Sequence, residues 1–224
     1  VSEEVVVTVS EIIRCDTPSD FASLFTNRSE FTLSPRFDGE PGRSVVTGVA
    51  IVHDATKGTV VYVPGNVLLE QSVSSRLATG RLTVHDAKPM MRSLLSQNID
   101  ITGLELDTAI AAYLVDPSKP SYSLADVALN VLGVEVGQGV ESTGQFDFSG
   151  EADASSESTC AENALVTSVL ATTLRTRLEE IGNASLYNDI ENPLVRVLAK
   201  MEHVGIAVDR NALESIKDRL TKET

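Results

Sequence analysis

The stretch VHDAKPMMRSLLSQNIDITGLELDTAIAAYLVDPSKPSYSLADVALNVLG, Val84 to Gly133, decides the architecture, because helix punctuation recurs in it three times. Asp86 stands just before Pro89 at a helix start, with Met90, Met91, Leu94 and Leu95 at helical spacing and Asn98 as a left-handed stop. A second helix spans Asp107 to Val115; an acidic residue at its head favours the helix dipole, and Asp116-Pro117 closes it. Ser123 with Asp126 opens a third, whose Leu124, Val127, Ala128, Val131 and Leu132 form one apolar stripe that ends at Gly133.

Upstream, β-branched runs at Val5 to Val9, Phe31 to Phe37, Val45 to Val52, Thr59 to Val63 and Leu82 to His85 are separated by Gly, Pro and Asp turn signals. They predict five strands. Short connections between the early ones imply an antiparallel meander, and the helices that follow imply an α/β fold: a mixed sheet with helices packed on it. Downstream, Glu135 to Ser158 is rich in Gly, Ser and acidic residues, with Phe146 and Phe148 as its only large anchors, and reads as a long exposed loop. Thr159 and Glu162 fit a capping box at the head of the longest helix, with Leu165, Val169, Leu170, Leu174, Leu178 and Ile181 on one face and a stop near Gly182. A last unit starts at Asn192-Pro193 with Leu194, Val195, Leu198 and Met201 facing inward. Gly205 ends that helix, Ile206 to Val208 is extended, and Asp209 caps the final helix. The chain opens on Val1 and stops at Thr224 inside a helical pattern, as the interior of a longer polypeptide would, and it divides into residues 1–186 and 187–224.

Composition narrows the function classes. Hydrophobic residues make up 42% and charged residues 22%, ordinary for a soluble globular chain, and no apolar run approaches the roughly 20 residues of a spanning helix. A cytoplasmic monomer without membrane contact is expected. Cys15 and Cys160 are too few for a disulfide framework or zinc knuckle, and His53, His85 and His203 lack metal-ligand spacing, so no metal is expected. The net charge is −14, with 12 Lys/Arg against 25 Asp/Glu in residues 1–186 and no Lys or Arg between Lys119 and Arg175. Such a surface repels nucleic acid unless metal ions supply positive charge.

Glu191 to Ile216, ENPLVRVLAKMEHVGIAVDRNALESI, is similar to the segment with which the polymerase domain of bacterial DNA polymerase I begins. The Val84 to Gly133 stretch resembles the middle of the 3′–5′ exonuclease domain of the same family. The resemblance implies an RNase-H-like (DnaQ-like) exonuclease fold of about five strands over residues 1–186, followed by the first helices of the polymerase domain, truncated, over residues 187–224. Exonucleases of this family use two divalent metals held by four carboxylates. An Asp-x-Glu on the first core strand aligns with Ser34 and Arg36, the next carboxylate with Met90, and a Tyr-x-x-x-Asp on the long helix with Thr159 and Asn163. By this alignment every carboxylate is gone, and Arg36 puts a cation where a metal would sit.

The implied role is a non-catalytic structural domain, supporting replication and repair through a parent polymerase that brings its own magnesium and its own contact with DNA. Two other readings compete. A register shift could rebuild an active exonuclease on Asp38 and Glu40 with Asp86 or Asp107, although Asp38 to Gly42 has the composition of a turn. The acidic loop 135–158 could dock a partner protein. His85-Asp86 could form a general-base dyad, but a strand end followed by an N-cap explains both residues. Met90 and Met91 read as core filler.

Overall fold

The computed structural model describes residues 7–136 and 151–223. Strand β1 (Glu11–Arg14) leads to helix α1 (Pro18–Leu24), where Thr17 and Asp20 form a reciprocal capping box. Strands β2 (Glu30–Phe37), β3 (Val46–Asp54) and β4 (Thr59–Pro64) make the expected antiparallel meander, with Leu33 opposite Ile51 and Val49 opposite Val63. Helices α2 (Gly65–Leu68) and α3 (Gln71–Thr79) carry the chain across to β5 (Arg81–Val84), which pairs parallel with β2. Helix α4 (Ala87–Ser96) crosses to β6 (Leu104–Asp107), parallel to β5, and α5 (Thr108–Val115) and α6 (Leu124–Leu132) follow. The second span holds α7 (Glu151–Glu180), α8 (Ala184–Leu186), a π-helical turn (Tyr187–Glu191), α9 (Asn192–Val204) and α10 (Arg210–Glu223). The sheet order is β1-β4-β3-β2-β5-β6.

The period-2 alternation of the strands sorts their side chains onto two faces. Leu33, Val49, Ile51, Val61 and Val63 join the cluster of α1, α3 and α4 residues. Ala50, Val52, Val60 and Tyr62 meet Cys160, Ala161, Ala164 and Leu165 of α7. The small residues of α7 let its backbone lie close to β2 and β3, and farther along Leu170, Leu174 and Leu178 pack with α5 and α6. Val195 and Ala199 of α9 join the α4 cluster. No helix among the described residues is long and apolar enough to cross a membrane.

Several expectations change. Among the described residues there are six strands: β6 escapes the periodicity because its four residues, Leu104 to Asp107, are too short to alternate visibly. The first strand is Glu11–Arg14, since Ile12 and Ile13 reach β4 while Val7 to Val9 stay irregular; Val5 and Val6 lie outside the described residues. The segment read as a loop does not reach Ser158, because α7 already runs from Glu151; residues 137–150, Phe146 and Phe148 among them, lie outside the described residues. Thr159 is therefore no cap but an interior residue, its hydroxyl donating to the Ser155 carbonyl at 3.0 Å. Asp86 precedes α4 in the left-handed region (φ 52°) without capping it through its own side chain. On α9 the inward face is Val195 with Ala199, while Leu194, Leu198 and Met201 are exposed. Ile181 is exposed as well. The stops at Asn98, Gly133, Gly182 and Gly205 all take positive φ, and Asp209 accepts from the Asn211 and Ala212 amides at the start of α10.

Candidate functional site

Ser34 and Arg36 lie on the α7 face of β2, opposite Ala50 and Gly48 of β3. The Ser34 carbonyl accepts from Cys160 Sγ at 3.1 Å, which ties β2 to α7 one residue after Thr159. Arg36 donates to Tyr62 Oη at 3.4 Å, and a Cβ on Gly48 would collide with that phenol, so glycine makes the room for it. Arg14, 5.8 Å over the Tyr62 ring, pairs with Glu157 of α7 at 2.6 Å. Burial pushes the Cys160 thiol up to about 11, so it stays protonated and weakly nucleophilic.

Met90 lies elsewhere. Its side chain is 1% exposed within the apolar cluster that contains Leu33, on the other face of the sheet. The structure thus brings Ser34, Arg36 and the Thr159 turn of α7 together and leaves Met90 in the core behind them. Asn163 is half-buried, and its carbonyl accepts from Thr167 Oγ1 at 2.7 Å.

The alternative carboxylates occupy two places. Asp38 and Glu40 are exposed on the β2–β3 turn, where Glu40 pairs with Arg43 at 3.3 Å and Gly42 leans on Pro89. Asp86 and Asp107 meet at the ends of β5 and β6. Asp107 is 1% exposed; its Oδ1 accepts from the amides of Asp86 (3.0 Å), Ala109 (2.9 Å) and Ile110 (3.5 Å), and its Oδ2 from that of Ala87 (2.7 Å). One carboxylate therefore caps α5 locally and α4 from twenty residues away. Burial pushes its pKa up and the four amides pull it down; Asp86 is raised by burial and by the Asp107 charge. His85 Nδ1 lies 2.8 Å from Thr108 Oγ1, and burial lowers the ring to about 4, which makes it neutral at neutral pH. Among the described residues no group of three His, Cys, Asp or Glu could hold a metal ion.

Sequence reading missed three parts of this arrangement: the second helix capped by Asp107, the Tyr187 hydroxyl that accepts from the Asp107 amide at 2.6 Å, and the Arg14–Glu157 pair. Each joins residues far apart in the chain, and nothing local marks them.

A meander extended on one side by two parallel strands, with a long helix across β2, is the ribonuclease H-like exonuclease fold. NrnC of Brucella melitensis with bound Mg²⁺ shares it at a TM-score of 0.62 and 15% identity, over 87% of this chain and 92% of that one. Residues 38–137 match the family model of the DNA polymerase I ribonuclease H-like domain. DNA polymerase I of Mycobacterium tuberculosis is 33% identical over 138 residues, 61% of this chain and 15% of that protein. The POL domain of Pol1 from M. smegmatis, in complex with DNA primer-template and dNTP, superposes with a TM-score of 0.75 at 27% identity, over 95% of this chain and 35% of that one. The chain carries the 3′–5′ exonuclease-like domain of bacterial DNA polymerase I, and it spans about a seventh of the length of that M. tuberculosis relative.

Proposed function

We propose that this domain is non-catalytic and structural, supporting replication and repair synthesis by a parent DNA polymerase I. The observation that carries the reading is the donor set. Magnesium-type ions require oxygen ligands, and a two-metal site requires carboxylates to offset the charge of both ions. Ser34, Arg36, Met90, Thr159 and Asn163 supply no carboxylate, one guanidinium, and a thioether turned into the apolar core. They do not fit Mg²⁺.

Polar clamps support the structural half of the reading. We assign residues 187–224 to the opening of the polymerase side. Arg196 and Lys200 both meet Asp100 at 2.7 Å, Lys88 and Arg92 both meet Glu202, and Asn192 donates to the Leu104 carbonyl. A polymerase continuing from this unit would inherit a fastened foothold on the exonuclease-like body, and its contact with DNA would come from its own basic surface rather than from this acidic one.

The test is a calorimetric titration of the whole chain with Mg²⁺ and Mn²⁺, followed by incubation with a 3′-labelled single strand. Neither metal uptake nor shortening is expected. Stoichiometric uptake with stepwise loss of 3′ nucleotides would overturn the reading and move the site to Asp38, Glu40, Asp86 and Asp107.

A further inference from the structure

A second cleft lies between the sheet and α7, at the opposite end of β2 from Ser34. Three guanidiniums converge on it from three elements: Arg28 before β2, Arg81 at the start of β5, and Arg175 of α7. Arg175 is also the first cation after 55 residues without one, in a chain of net charge −14.

Two carboxylates answer these three cations, and both go to Arg81. Glu30 pairs with its Nη1, while Glu105 uses one oxygen on Nη2 at 2.6 Å and the other on Nε at 2.9 Å. Arg175 reaches only the already engaged Glu105 Oε1, at 3.8 Å, and touches Thr83 Oγ1 at 3.3 Å. Arg28 donates to neutral backbone acceptors, the Glu30 and His53 carbonyls, with no carboxylate within 4.0 Å among the described residues. Burial lowers its pKa, and the Glu30 charge offsets that only in part.

We propose that this cleft binds a phosphate group. Its cations exceed its anions by one, and Glu30 and Glu105 are engaged closely by Arg81, so an anion entering it gains Coulomb energy from Arg28 and Arg175 that these two carboxylates leave uncompensated. Thr32, Thr83, Ser168 and Thr172 line the same space, and hydroxyl side chains can donate to further oxygens, which suits a tetrahedral oxyanion approached from several sides better than a planar carboxylate. The cleft holds about 180 Å³ and opens to solvent, room for a phosphate group with the rest of a longer ligand left outside. Free phosphate and the terminal phosphate of a strand share this chemistry.

The experiment is an amide chemical-shift titration of the full chain with sodium phosphate at constant ionic strength, repeated for Arg175→Gln and for Lys57→Gln, an exposed cation outside the cleft. Saturable shifts at Thr83, Ser168 and Thr172 are expected, with affinity falling about tenfold in R175Q, as for loss of one charged hydrogen bond, and unchanged in K57Q. Unmoved amide spectra elsewhere in R175Q confirm that it folds. Parallel titrations with a short strand carrying or lacking a 5′ phosphate separate the sources: tighter binding of the phosphorylated strand than of free phosphate assigns a strand end, and equal binding assigns the free ion. No saturable shift with either phosphate source, or equal losses in R175Q and K57Q, would overturn the proposal.

Discussion

Two polar regions interrupt the sheet's apolar packing, and they treat carboxylates in opposite ways. At the ends of β5 and β6 a carboxylate sits almost completely buried, because four peptide N–H groups converge on Asp107 and serve the starts of two helices at once. Under the head of α7, where the resemblance puts metal-binding carboxylates, the contacts are instead a thiol on the Ser34 carbonyl and a guanidinium on a phenol, while Met90 packs in the core on the far face. Interior anions need a positive partner. In the first region the backbone supplies it for structural reasons of its own; in the second the positive groups are the Arg14 and Arg36 guanidiniums, and Arg14 is paired with Glu157.

The largest expected effect comes from burying a carboxyl where, unlike at Asp107, the surroundings are apolar. Met90→Asp removes a fully buried side chain and buries a carboxyl with no amide aimed at it, so unfolding in urea at pH 7 should show a loss of about 5 kcal/mol or more. A loss under about 2 kcal/mol would mean that the core around α4 opens readily to water at this position. The converse change is smaller. Asp107→Ala leaves four amides without their acceptor and should cost about 3 kcal/mol, with water recovering part of the loss. Asp107→Asn should rescue little, since its NH₂ would face a donor. Full stability in either variant would show that the amides need no anion.

How much of this could be read in advance follows the range of each interaction. The meander was legible because Leu33, Val49, Ile51 and Val61 alternate over runs long enough to show a period. Helix stops were legible because a left-handed helix end favours residues that tolerate positive φ, and Asn98, Gly133, Gly182 and Gly205 are of that kind. The capping of α5 by Asp107 was legible for the same local reason, but its reach to Ala87 was not. Thr159 misled because a Thr-x-x-Glu pattern is also what a helix interior with a hydroxyl bonded one turn back looks like. The inward face of α9 misled because its large side chains point outward while the alanine, Ala199, makes the contact. The five aligned site residues could be named from the resemblance, whereas the separation of Met90 from Ser34 onto opposite faces needed the structure.

The smallest effect sharpens the comparison through pH. Burial holds His85 at about 4 against an ordinary 6.5, so between those values the unfolded chain binds a proton that the folded one refuses. With the folded pKa depressed, the native state loses stability as pH falls from 6.5 toward 4, by up to about 3 kcal/mol for the whole shift and about 2 once the ring's partial exposure is discounted. Asp86 and Asp107, both raised, act with the opposite sign, gaining stability as pH falls, so the slope of the native protein alone is a difference of two effects. Comparing it with His85→Gln isolates the imidazole, because both carboxylates remain in the variant. Unfolding free energies measured at pH 7, 6, 5 and 4.5 should fall more steeply in the native chain than in H85Q. Parallel curves would mean that the ring takes up its proton as readily folded as unfolded, the Asp86 charge offsetting the cost of burial. The β5 and β6 ends would then hold a working ion pair rather than an inert lock, and the contrast with the α7 region would narrow accordingly.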